Sequence, residues 1–159
     1  MSNLYEIRQG KRLQRKVRAI VTNKEGKYLL IQPHSYKEHM WTFVGGGVES
    51  GETLDQAIRR ELKEEVGIET ILSITASSIK PWYEFSSKFK KSKNTDYDGQ
   101  IANLFWIEVP NDISIKLQIE EVKDYRWACL SEVRELVTVP EQIEWFNSVF
   151  DELSKDKAA

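Results

Sequence analysis

The segment from Gly46 to Ile68 constrains the fold more than any other part of this chain. Thr53 is a good helix N-cap, and Gln56 three residues later completes a capping box. Leu54, Ile58 and Leu62 recur at i, i+4, i+8 and form a core-facing stripe over Thr53 to Val66. Gly67 stops the run, as glycine does just past a helix end. Before the helix, Trp41 to Val44 reads as a short strand running into Gly45-Gly46-Gly47. Glu61, Glu64 and Glu65 fall within an arc of about 100° beside the apolar stripe. Each like-charge pair costs on the order of 0.2–0.5 kcal/mol on an exposed helix, and more when partly buried. Hard divalent cations such as Mg²⁺ or Mn²⁺ want oxygen ligands and would relieve that repulsion. A solvated face neutralised by Arg59, Arg60 and Lys63 would relieve it equally well.

The glycines shift the balance towards a ligand site. They join a strand to a helix N-terminus, where free N–H groups and the helix dipole favour anions, and they let backbone approach a ligand closely. Gly46 to Thr53 matches a phosphate-binding P-loop except that Glu52 stands where that loop needs lysine, so a P-loop ATPase is excluded.

The remaining pattern surrounds this segment with sheet. Arg15 to Thr22 reads as a strand with Val17, Ala19 and Val21 on one face, and Lys27 to Ile31 as its hairpin partner across Asn23 to Gly26. Pro33 to Met40 reads as a polar loop, and Ile68 to Ile79 as one or two β segments. Ser86 to Gln100 reads as a polar loop carrying Lys88, Lys90, Lys91 and Lys93. Ile101 to Val109 and Val122 to Leu130 read as strands. Helices follow around 131–137 and from Pro140 to Leu153, the last with Ile143, Phe146, Val149 and Phe150 as its apolar stripe. The fold class expected is α/β (α+β), a mixed sheet covered by helices. At 159 residues the chain suits a single domain, 1–159, with its core over about 15–153. Five Trp, six Tyr and six Phe argue against disorder. A net charge of −2 selects neither nucleic acid nor membrane as partner. Cys129 is alone, which excludes an internal disulfide, and its apolar surroundings suggest a small core residue. With no signal-peptide core and no bilayer-spanning run, a cytoplasmic setting is expected.

Residues 46–68 resemble the Nudix box, Gly-x5-Glu-x7-Arg-Glu-apolar-x-Glu-Glu-x-Gly-apolar, at every fixed position: Gly46, Glu52, Arg60, Glu61, Leu62, Glu64, Glu65, Gly67 and Ile68. The flanks resemble the family too, through Trp41-x-Phe43 and an acidic pair ahead of Tyr125-Arg126-Trp127, so the likeness runs from Val17 to Phe150. Val44 departs from it, since many members carry proline there. The resemblance implies a mixed sheet sandwiched between helices, and Mg²⁺ or Mn²⁺ bound by Glu61, Glu64 and Glu65. It adds the Gly45 carbonyl as a ligand and an acid from a later loop, Glu121 with Glu120 as rival. It implies that Glu52 and Arg60 brace the site rather than touch substrate. The general base would be Glu61, Glu65 or Glu121, with Glu61 the first choice.

The resemblance identifies pyrophosphate hydrolysis but not the substrate. Trp82, Tyr83 and Tyr97 flank the lysine-bearing loop and are candidates to stack on a base. Lys91 and its neighbours are candidates to contact a polyphosphate or an RNA 5′ end, and His39 to contact substrate, although a solvated loop accounts for these residues as well. Asp98-Gly99-Gln100 leading into Leu104-Phe105-Trp106 is similar to the dinucleoside polyphosphate and RNA 5′-pyrophosphate branch. A nucleoside polyphosphate is therefore the expected partner, for a monomer or homodimer needing no other protein and no membrane. A nucleoside diphosphate sugar or ADP-ribose hydrolase is the rival. It is disfavoured because only about fourteen residues precede the first clear strand, too few for an N-terminal β region. A non-catalytic nucleotide-binding module is the third reading.

Overall fold

The computed structural model describes residues 3–154. Eight strands form one mixed sheet: β1 (Tyr5–Arg8), β2 (Lys11–Thr22), β3 (Tyr28–Pro33), β4 (Val44–Gly47), β5 (Ser73–Ala76), β6 (Trp82–Glu84), β7 (Gly99–Glu108) and β8 (Val122–Ala128). Four helices accompany them: α1 (Leu54–Val66), α2 (Ser87–Lys93), α3 (Leu130–Leu136) and α4 (Pro140–Leu153). The spine is the parallel pair of β2 and β7, in register from Leu13↔Gly99 to Thr22↔Glu108. Every other pairing is antiparallel.

Three strands share the other edge of β2. β1 pairs with Lys11 to Gln14, β4 with Lys16 to Ala19, and β3 meets β2 only at Thr22↔Tyr28 before turning to β8. The sheet therefore splits between β3 and β4, where a lone bridge, Ile31↔Thr42, holds the two together.

Strand alternation builds a core on each face. Val17, Ala19 and Val21 of β2, Leu29 and Ile31 of β3, and Phe105 and Ile107 of β7 pack with Ala57, Ile58, Leu62 and Val66 of α1. The intervening residues Ile20, Tyr28, Leu30 and Leu104 pack with Val133 of α3 and Trp145, Phe146 and Val149 of α4. Fully burying a large aliphatic side chain is worth about 1.5–3 kcal/mol. Three on α1 alone (Ile58, Leu62 and Val66) outweigh the carboxylate repulsion expected on that helix. Helix α1 has the caps read from sequence: the Thr53–Gln56 box and Gly67 in the left-handed region at φ 70°.

Four expectations need correction. Tyr5–Arg8 forms a strand and β2 begins at Lys11, because Gln9 (φ 51°) and Gly10 (φ 76°) make a tight hairpin turn. The short-N-terminus argument against a nucleotide-sugar hydrolase falls with it. The lysine segment is not all loop: Ser86 caps α2 through the Phe89 N–H at 3.1 Å, and Asn94 ends it in the left-handed region. The strand expected at Trp41–Val44 is displaced onto the glycines, and β4 is Val44–Gly47. Cys129 is half-buried at the N-cap of α3 rather than in the core, where its N–H donates to Glu132 Oε1 at 3.0 Å.

Candidate active site

Glu61 and Glu65 lie one turn apart on α1 and are 8% and 7% exposed. The helix can bury them because the three glycines of β4 beneath have no side chains. A Cβ on Gly46 would stand 2.3 Å from Glu61 Oε1, and one on Gly45 would stand 2.3 Å from the Val17 carbonyl oxygen. The Gly45 N–H donates to Glu65 Oε1 at 3.2 Å. The charge of Glu61 bears on Glu65 across one helical turn. Burial pushes both upward. For Glu65 the charges of Glu61 and Glu121 add to burial, and its pKa reaches about 8 despite the Gly45 N–H. For Glu61 the rise is moderated by the Arg60 guanidinium.

Arg60 ties the site to the loop. Its Nε and Nη2 donate to the two Glu52 oxygens at 2.6 and 3.1 Å, and Nη2 also donates to the Gly47 carbonyl at 2.8 Å. Nη1 donates to Glu61 Oε1 at 2.9 Å and to Glu64 Oε2 at 3.3 Å. Glu52 accepts in turn from the Glu49 N–H, and Arg60 holds its carboxyl below the usual range. This fork geometry is one a lysine could not reproduce.

Among the described residues no three acidic or histidine side chains close on one point. Glu64 shares Arg60 Nη1 with Glu61, and its side chain is 52% exposed. The donors gathered here are all oxygens, the chemistry a hard divalent cation takes. The glycine floor brings the backbone within reach of the same carboxylates.

A cleft of about 490 Å³ opens from this cluster where the sheet splits. Lys16, Arg18, Tyr36, Gly45, Gly46, Glu65, Glu120 and Glu121 line it, so the two candidate loop acids both face it. It is Glu121 whose charge reaches Glu65. Burial and the neighbouring Arg18 lower the Lys16 ammonium below its ordinary value, partly offset by Glu61. Arg18 Nη1 donates to Thr42 Oγ1 at 2.9 Å and to the Phe43 carbonyl at 3.0 Å. A second recess of about 510 Å³ shares Arg18 and Tyr36 with the cleft and is walled by Trp82, Tyr83 and Trp145.

Trp82 and Tyr83 are thus placed beside the cleft. Tyr97, Lys91 and His39 line neither cavity. Tyr97 packs with Tyr5 at 6.3 Å and under the Arg12 guanidinium at 5.4 Å. Lys91 is exposed on α2, and His39 is exposed in the loop at φ 75°. His34 lines the cleft instead, with Nε2 2.7 Å from the Ile119 carbonyl. Lys16, Arg18, Tyr36 and Trp145 were missed from sequence. The signal for the first two lay in β2 itself, where basic residues alternate with the core positions Val17 and Ala19.

A mixed sheet split beside a glycine strand, with a glutamate-bearing helix packed on that strand, defines a Nudix-fold hydrolase. Comparison with known proteins agrees, since the NUDIX domain family pattern matches residues 12–149. The chain belongs to the Nudix family and is an enzyme of pyrophosphate bonds. It is 31% identical over 111 residues to an RNA pyrophosphohydrolase of Campylobacter jejuni, covering 69% of this chain and 70% of that one. It is 32% identical over 121 residues to the nucleoside triphosphatase NudI of Escherichia coli, covering 72% and 81%. In fold it is similar to the NUDIX domain of Shewanella oneidensis NrtR complexed with ADP ribose, with TM-score 0.69, 16% identity and 89% of each chain covered. It is similar also to the E. coli dihydroneopterin triphosphate pyrophosphohydrolase, with TM-score 0.68, 21% identity, and 80% and 88% covered.

Proposed function

We propose that this chain, as one domain, hydrolyses a pyrophosphate bond in a nucleoside polyphosphate such as a dinucleoside polyphosphate, a nucleoside triphosphate or a 5′-triphosphate RNA, using Mg²⁺ or Mn²⁺. The observation that carries this reading is the buried Glu61–Glu65 pair on the β4 glycines, at the head of a cleft that also holds Lys16 and Arg18. Carboxylates for a cation and cationic side chains for phosphate oxygens stand within one cleft. The RNA pyrophosphohydrolase and the nucleoside triphosphatase reported above, each more than 30% identical, support the substrate class.

Glu61, Glu64 and Glu65, with the Gly45 carbonyl and Glu121, are the oxygen donors that would hold the cation. When bound, a divalent cation neutralises charge on the phosphate oxygens and lowers the pKa of a water molecule. Lys16 and Arg18 bind the phosphates and orient them against the cluster. Arg60, held by Glu52 and the Gly47 carbonyl, keeps the Glu61 carboxylate on the glycine floor. A carboxylate oxygen of Glu61 takes the proton of the attacking water, with Glu65 and Glu121 as the alternatives. The water oxygen bonds to one phosphorus as the bridging oxygen leaves in line with the other phosphate.

Product analysis over nucleoside triphosphates, diadenosine tetraphosphate, triphosphate-ended RNA, ADP-ribose and a nucleotide sugar, each with Mg²⁺ and Mn²⁺, tests the substrate class. Preferred cleavage of the last two would move the assignment to the rival branch. Glu64→Gln and Glu65→Gln should each remove most activity while leaving the circular dichroism spectrum unchanged. Near wild-type turnover in both would remove the metal assignment.

A further inference from the structure

The recess beside the cleft combines aromatic walls with one charged group whose chemistry is selective. Trp82 and Tyr83 come from β6, and Trp145 and Glu141 from α4, with Gln100 from β7 between them. Tyr83 is 54% exposed, so its ring offers a face for stacking. Arg18, Tyr36 and Glu141 line the recess with it. Several polar groups here are already committed. Gln142 accepts from Thr42 Oγ1 at 2.7 Å and donates to the Tyr36 hydroxyl at 3.0 Å, and of the Arg18 guanidinium only Nη1 is held, by Thr42 and Phe43. Glu141 has no ion pair or side-chain hydrogen bond among the described residues, and the Gln100 amide has none either.

We propose that this recess is a nucleobase site selective for guanine, with Glu141 as the base-reading residue. The proposal rests on the nucleotide reading of the adjoining cleft and deepens it. A carboxylate offers two acceptors side by side and no donor. Guanine alone among the common bases presents two adjacent donors, N1–H and the 2-amino group, on its pairing edge. Adenine and cytosine each place an acceptor beside their amino group, and uracil flanks its one donor with two carbonyls, so each sets a lone pair against the carboxylate. The Gln100 amide can turn to meet the guanine O6 or N7. The aromatic walls stack on any base and supply affinity without selection. Because the recess and the cleft share Arg18 and Tyr36, a base seated here extends its 5′ phosphates towards Lys16 and the glutamate cluster.

The test is calorimetric titration of the full chain with GMP, IMP, AMP, CMP and UMP, which needs neither cation nor turnover. GMP should bind about tenfold or more tightly than AMP, CMP and UMP. IMP, which keeps N1–H but lacks the 2-amino group, should fall between. Glu141→Gln replaces one acceptor with a donor and should collapse the margin of GMP over AMP, whereas Tyr83→Ala should weaken all five together. Equal affinities, no binding of any of the five, or a margin surviving in Glu141→Gln would overturn the proposal. Hydrolysis across the substrate panel without base preference would sink the recess and keep the enzyme. Guanine-selective binding without hydrolysis of any nucleotide would do the reverse.

Discussion

The carboxyl of Glu65 is raised by burial and by Glu61 to a pKa of about 8. In the cation-free protein its proton stabilises the folded state fully below the ordinary carboxylate value near 4.5. That contribution is lost as pH rises through about 8, because between those limits the folded chain binds more protons than the unfolded one. Melting temperatures in EDTA should therefore fall from pH 5 to pH 8.5, and Glu65→Gln should flatten the slope. A cation needs the deprotonated carboxylates, so Mg²⁺ should bind more tightly as pH rises over the same interval, as calorimetry would show. Gly46 gives an independent check on the floor beneath the pair. Gly46→Ala puts a methyl group 2.3 Å from Glu61 Oε1 and must displace that carboxylate. Turnover should drop by about 10²-fold, on the principle that an ångström of misplacement is enough. Unchanged turnover would mean that Glu61 does not act from this position.

At the scale of elements, α1 was legible because all its signals agree: the Thr53–Gln56 box, the Leu54–Ile58–Leu62 stripe and the Gly67 stop. Its three glutamates were legible for the same reason, since the spacing of a regular helix sets which residues share a flank. Other elements were hidden by tertiary context. Nothing local requires Tyr5–Arg8 to be a strand, and its partner at Lys11–Gln14 lies in a run too polar to show a core face. The lysines of α2 suggested a solvated loop, and only the Ser86 and Asn94 caps could have marked a helix. Seven residues with no buried side chain lie far below the length of a self-sustaining helix. Ser86→Ala should then raise amide exchange across residues 87–93 without lowering the global melting temperature. A cooperative loss of stability would show that α2 is part of the core fold. Lys16 and Arg18 were overlooked although they alternate with Val17 and Ala19 along β2, because alternation alone does not separate a solvated strand face from a site. Their role depends on the split between β3 and β4, a long-range feature that no local pattern encodes.

At the scale of the whole molecule, the sheet separates two cores that serve the site differently. The α1 core sets the glutamates on the glycine strand, and the α4 core walls the recess. Phe146 is the keystone of the second, fully buried and 5.5 Å from the rings of both Tyr28 and Phe43, the latter two residues from Gly45. Phe146→Ala should cost about 3–5 kcal/mol in denaturant unfolding, the usual range for a buried aromatic. A loss below 1 kcal/mol would mean that α4 packs loosely against the sheet. Among the described residues no helix is long and apolar enough to cross a membrane.

The central claim is that the carboxylate cluster of α1 and the glycine strand make this chain a cation-dependent pyrophosphohydrolase. The most direct test is chromatographic product analysis of a nucleoside triphosphate or diadenosine tetraphosphate incubated with wild type and Glu65→Gln, each in Mg²⁺ and in EDTA. The account predicts cleavage at a phosphoric anhydride bond by wild type in Mg²⁺, with at least about a hundredfold loss both in EDTA and in the variant. Cleavage that persists in EDTA, or at wild-type rate in Glu65→Gln, would contradict it.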